Sequence, residues 1–81
     1  MTHDLKCWPE HFVPIWEGLK TAELRKNDRD FKVGDTLVLL EWRPTTFEYT
    51  GRSVKTKIRH IANVSIWAPG YVLMSIERIQ T

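Results

Sequence analysis

The chain has 81 residues, enough for one small domain and too few for a second. A net charge of +2 permits a phosphate-bearing partner without demanding one, and 42% hydrophobic residues with four Trp exclude a disordered chain. A single cysteine, Cys7, excludes an internal disulfide, and no stretch approaches the roughly 18 apolar residues that a membrane-spanning helix needs. The opening "MTHDLK" has no apolar signal core, so a monomeric cytoplasmic domain over residues 1–81 is the expectation.

The elements follow in chain order. "HDLKC", residues 3–7, reads as a short strand. In "WPEHFVPIWEG", Pro9 suits a first helical position, Glu10 complements the helix N-terminus and Gly18 is a C-terminal stop. Phe12, Ile15 and Trp16 fall on one helical face, but Pro14 removes a backbone donor, so two short turns or a kinked helix are expected. "TAELR", residues 21–25, alternates: Thr21, Glu23 and Arg25 share one side, Ala22 and Leu24 the other.

"NDRDF" and "KVGD" are turn chemistry, and the second launches "TLVLLEW", residues 36–42, apolar on both faces like a central strand. "RPTTFEYTG" reads as a hairpin connection. "RSVKTKIRHIANV" alternates again, with Val54, Thr56, Ile58 and His60 on one side and Lys55, Lys57 and Arg59 on the other. "SIWAPG" is a loop and "YVLMSIERI" a last strand. About five strands with regular turn signals and one early helix predict a mainly β fold, a small closed barrel with one or two short helices.

Two groups of residues suggest chemistry. Lys20, Glu23 and Arg25 offer two donors and one acceptor: Arg25 suits bidentate contact with phosphate or a guanine edge, Glu23 can accept from an exocyclic amine, and Lys20 can act as a point charge or a base. The same pattern also describes an exposed Glu–Arg pair on an edge strand. Arg52, Lys55, Lys57 and Arg59 form a basic stripe that could track phosphates or simply solubilise an exposed face. The three His residues are too scattered to argue a metal site, no glycine-rich phosphate loop is present, and no cofactor is expected.

The blocks "LKCWPEHF", "GLKTAELRKNDRDFKVGDTLVLLEW", "EYTGRSV" and "PGYVLMSI" together resemble the small ASCH-like proteins of prokaryotes and phages, within the PUA-like superfamily. More narrowly, the chain resembles a short ASCH-related family that shares "RKNDRDFKVGD" and "TGRSV", over about residues 3–78. The pattern G-x-K-T-x-E-x-R, Gly18 to Arg25, is that family's signature.

The resemblance implies a PUA-like barrel of five to six strands whose signature strand lines a cleft. It also implies binding of RNA or of a modified nucleotide. Lys20, Thr21, Glu23 and Arg25 would form the pocket, Lys6, Trp8 and Asn27 would line it, and Arg52, Lys55, Lys57 and Arg59 would hold the backbone. One ASCH branch hydrolyses the amide of N4-acetylated cytidine. Here Lys20 matches its Lys, Glu23 stands where it has Thr, and "NVSIWAPG" is too short for its inserted helix. A metal-independent hydrolase or ribonuclease using Lys20 and Glu23 is therefore the alternative. A protein-interaction factor that docks through Phe47, Tyr49 and Trp67 is a further one.

Overall fold

A computed structural model describes residues 1–79. Its elements are β1 (Thr2–Cys7), α1 (Pro9–Trp16), β2 (Ala22–Lys26), β3 (Thr36–Arg43), β4 (Glu48–Asn63) and β5 (Tyr71–Arg78). The strands form one sheet in the order β1-β3-β4-β5-β2, antiparallel throughout except for the parallel β1–β3 pair. The fold is mainly β with one short helix, as the turn signals predict, and the sheet curls into a half-barrel. The expected closed barrel stops one pairing short, because β1 and β2 are the two edge strands and no ladder joins them.

Alternation explains which residues face inward. His3, Leu5 and Cys7 of β1, Leu37 and Leu39 of β3, Val54, Thr56 and Ile58 of β4, and Val72, Met74 and Ile76 of β5 are all buried. Phe12 and Ile15 of α1 complete the core from one side. No helix among the described residues is long and apolar enough to cross a membrane.

Of the two forms expected around Pro14, two separate turns are ruled out. α1 is one eight-residue segment that carries Pro14 inside it. So short a helix loses little from one missing bond, and its end is well closed. The Gly18 amide donates to Ile15 O (3.1 Å) and the Leu19 amide to Pro14 O (2.8 Å), the paired bonds of a Schellman motif. Gly18 takes the left-handed φ of +80° that this motif requires.

β4 differs from the expected strand in its start and in its register. Its start lies at Glu48, inside the stretch that reads as a connection, and the turn before it spans residues 44–47. A bulge then sits between Ile58 and His60, leaving Arg59 outside the ladder with β5. This overturns the expected placement of His60 beside Ile58. His60 is exposed, and Ile61 turns toward the core in its stead.

Two carboxylates that lie buried at the sheet's ends are tied to specific partners. Asp35 Oδ2 lies 2.9 Å from the His3 Nε2 and accepts from the Lys32 amide at 3.1 Å. The His3 contact, helped by that amide, holds the Asp35 carboxyl down at about 2. Glu41 accepts from Arg52 through both Nε (2.9 Å) and Nη2 (3.0 Å), and from the Thr50 hydroxyl (2.6 Å). The Arg52 hydrogen bonds likewise lower the Glu41 carboxyl below its ordinary range. A depressed folded-state pKa adds stability above the unfolded value and loses it as pH falls through the folded one. The urea midpoint should therefore hold near neutral pH and fall as the pH drops from about 4.5 towards 2. Asp35→Asn should flatten that acid limb; a wild-type midpoint insensitive to pH over this window would contradict the assignment.

Candidate functional site

The seam between the two edge strands is bridged by side chains instead of a ladder. Arg25 Nη2 donates to the Lys6 carbonyl at 2.6 Å, and Arg29 Nη1 donates to the Asp4 carbonyl at 2.9 Å. Alternate carbonyls of the β1 edge are thus satisfied by guanidinium groups, which protects an otherwise open strand edge. Above this seam lies a cavity of about 550 Å³, lined by residues of β1, α1 and β2. That volume falls within the range of about 300–1,000 Å³ typical of small-molecule sites.

The wall from β2 runs opposite to an ordinary core strand. Glu23 is 4% exposed and faces inward, whereas Leu24 is 54% exposed and faces out. A buried carboxylate needs a partner, and Arg25 Nε supplies one to Glu23 Oε2 at 2.5 Å. The other oxygen, Oε1, receives no hydrogen bond among the described residues, yet no buried side-chain polar atom is left without a partner. Glu23 lines the cavity with this half-satisfied carboxylate.

Lys20 and Trp8 also line the cavity. Lys20 is delivered there by the chain turning out of α1, where its amide donates to Pro14 O at 3.1 Å. Trp8 is the N-terminal cap residue of α1 and is 50% exposed. Lys20, Glu23, Arg25, Lys6 and Trp8 thus line one cavity. Lys6, though, contributes mainly its backbone: its ammonium lies 4.1 Å from the centre of the Trp42 ring, on the outer face of the sheet.

Other expected members lie elsewhere. Thr21 precedes β2, is exposed, and does not line the cavity; its carbonyl accepts from the Ile76 amide. Asn27 is a turn former: its Oδ1 accepts from the Phe31 amide at 3.0 Å, and it borders a separate cavity with Asn63 and Tyr71. Of the basic stripe, Arg52 turns its guanidinium onto Glu41 and stacks over Phe12 and Trp16. Arg59, displaced by the bulge, pairs with Glu77 at 2.7 Å and lowers that carboxyl below its usual range. Lys55 and Lys57 alone continue the stripe, beside Val38 and Thr36 of β3. Phe47 and Tyr49 lie at one end of β4 and Trp67 beyond the other, so the three aromatics do not make one patch.

Three cavity residues escape the sequence reading: Cys7, His11 and Leu24, which borders the cavity although it faces away from the core. Cys7 lines the wall from β1, and burial, with Glu23 adding to it, pushes its thiol up to about 11. It stays protonated at neutral pH and offers no thiolate. His11, one helical turn beyond Trp8, closes the α1 side. The inward parity of Leu5 and Cys7 and the three-residue spacing of Trp8 and His11 are the signals that could have found the first two.

Comparison with known proteins covers this whole arrangement. The chain is 42% identical over 72 residues, 89% of its length, to the "Uncharacterized 12.9 kDa protein in GpA 3'region" of Escherichia phage P2. It spans 64% of that phage protein. Residues 2–76 match the family described as "Domain of unknown function (DUF3850)". Since that match takes in β1 to β4, the helix, most of β5 and each wall of the cavity, the chain belongs to the DUF3850 family.

Proposed function

We propose that the seam cavity binds one nucleotide unit of RNA, or a modified nucleotide. The observation that carries this reading is the inward-facing Glu23, which lines the cavity with one carboxylate oxygen held by Arg25 and no second hydrogen bond among the described residues. A fixed acceptor beside fixed donors is what base-edge recognition needs. The exposed Trp8 ring at the mouth supplies a stacking surface, typically about 1–3 kcal/mol per base. Lys20 and the remaining Arg25 donors suit a phosphate. The ASCH-like signature carried by Gly18 to Arg25 supports the same reading.

The test is a titration followed by NMR, using the common ribonucleoside 5′-monophosphates, their nucleosides and N4-acetylcytidine. Shifts centred on Trp8 and on Lys20 to Arg25 are expected, with affinities that differ between bases by about tenfold or more. No shift at these residues at millimolar ligand would overturn the proposal. Lys20 and Glu23 line the same cavity, so the hydrolytic alternative is read in the same tube. Accumulation of free cytidine from N4-acetylcytidine, lost in Lys20→Ala, would make the site an active site.

A further inference from the structure

We infer that the cavity is the terminal pocket of a longer single-stranded RNA site, which continues over Lys6 onto the outer face of β1, β3 and β4. This rests on the nucleotide-pocket reading above and extends it to a strand of several nucleotides. Three observations carry it.

Lys6 joins the two regions: it borders the cavity, and its ammonium sits over the Trp42 ring at 4.1 Å. Trp42 in turn holds Tyr49 edge-on, with ring centres 4.7 Å apart and an interplanar angle of 68°. Tyr49 is 50% exposed, so an aromatic face braced by its neighbour is presented to solvent. The register then extends the surface. Lys6 pairs with Leu40 and Leu40 with Ser53 in one row, Trp42 faces Tyr49 on one side of it, and Val38 faces Lys55 on the other. Strand alternation turns this set outward, because Leu5, Cys7, Leu37, Leu39, Val54 and Thr56 face in.

The surface therefore interleaves cations with a rigid aromatic stack and starts at the pocket mouth. Sequence-tolerant single-strand binding uses that combination: bases stack on aromatics while cations follow the backbone. Charge favours the same occupant, with two lysines set against Asp4, the exposed carboxylate that pairs with Val38 on this face. Lys6 and Lys55 have no ion-pair partner among the described residues, whereas the nearby Arg52 and Arg59 are each tied to a carboxylate. Tyr49 would stack the first base outside the pocket, and Lys55 would neutralise a phosphate beyond it.

The experiment compares oligouridylates and oligoadenylates of one, two, four and six nucleotides against wild type, Tyr49→Ala, Tyr49→Phe and Lys55→Gln. Wild-type affinity should rise about tenfold or more from one to four nucleotides, the order of one base–aromatic stack. Tyr49→Ala should remove about that factor from the tetranucleotide and leave the mononucleotide unchanged, while Tyr49→Phe retains it. Lys55→Gln should lower the salt slope of the tetranucleotide by about one. Affinity independent of length, with the mononucleotide still bound, would overturn the extended site and leave the pocket reading standing. Length dependence indifferent to both Tyr49→Ala and Lys55→Gln would overturn this route over the sheet. Tetranucleotide binding that needs Tyr49, with no mononucleotide binding, would overturn the pocket reading and with it the terminal pocket, leaving a strand site on the sheet alone. No binding by any probe would overturn both.

Discussion

Arg25→Ala is expected to destabilise the protein by about 2–3 kcal/mol, whereas Glu23→Gln should change stability by less than about 1 kcal/mol, although both remove one ion pair. The asymmetry comes from burial. The Glu23 side chain is 6% exposed and that of Arg25 is 27% exposed. Deleting Arg25 strands a carboxylate on the inner face of β2 with no donor. It also frees the Lys6 carbonyl, which Arg25 satisfies on the open edge of β1. Deleting the charge of Glu23 instead leaves a guanidinium that water reaches in part, so the figure for the pair is kept below that of a fully buried one.

Binding should rank the two variants the other way. Glu23→Gln keeps the cations of the cavity and swaps a pure acceptor for a group that both donates and accepts. Phosphate affinity should survive, and discrimination between bases should fall by about tenfold or more. Urea unfolding at pH 7 checks the first ranking, and paired nucleotide titrations check the second. Equal destabilisation by both variants would mean that Glu23 finds another donor when Arg25 is gone.

The parts of the fold that follow local rules were legible from the sequence. Pro9 and Gly18 bound the helix, the turns at "KVGD" and "APG" precede β3 and β5, and the doubly apolar run of residues 36–42 does lie inside the sheet. Parity alone could not say which side of "TAELR" faces in. An ordinary half-buried strand would bury Ala22 and Leu24; here Arg25 pairs with Glu23 on its own strand and reaches the Lys6 carbonyl nineteen residues away, and that second, non-local contact is invisible to parity. The bulge at Arg59 is equally non-local. One extra residue opposite β5 inverts the parity of everything after it, and no turn residue marks the place. Glu41 reads as the polar end of an apolar strand; its burial depends on Arg52, eleven residues away. The expected stripe dissolved for these same reasons, since two of its four cations are drawn off by carboxylates that meet them only in the folded sheet.

Phe12→Ala is expected to cost about 3–5 kcal/mol, a large share of the roughly 5–15 kcal/mol available to a small domain. Phe12 is fully buried, and Ile15 is the other α1 residue in the core. An eight-residue helix with an internal proline has too few bonds to stand alone, so packing must hold it in place. Phe12 also carries the layer above it: Trp16 stacks against its ring at 5.8 Å, and the Arg52 guanidinium lies 5.4 Å from its centre. Trp8 and His11 lie at the near end of α1, and Lys20 follows its far end, so detaching the helix removes three sides of the cavity at once. Nucleotide affinity should therefore fall with stability in Phe12→Ala, even under conditions where the sheet stays folded. Phe12→Leu, which keeps most of the volume, should cost about 1 kcal/mol and preserve binding. The measurement is urea unfolding followed by tryptophan fluorescence, paired with a nucleotide titration at a temperature well below the midpoint. Binding that survives in Phe12→Ala would mean that β1 and β2 hold the site without the helix, and the cavity would then have to be redrawn around Glu23 and Arg25 alone.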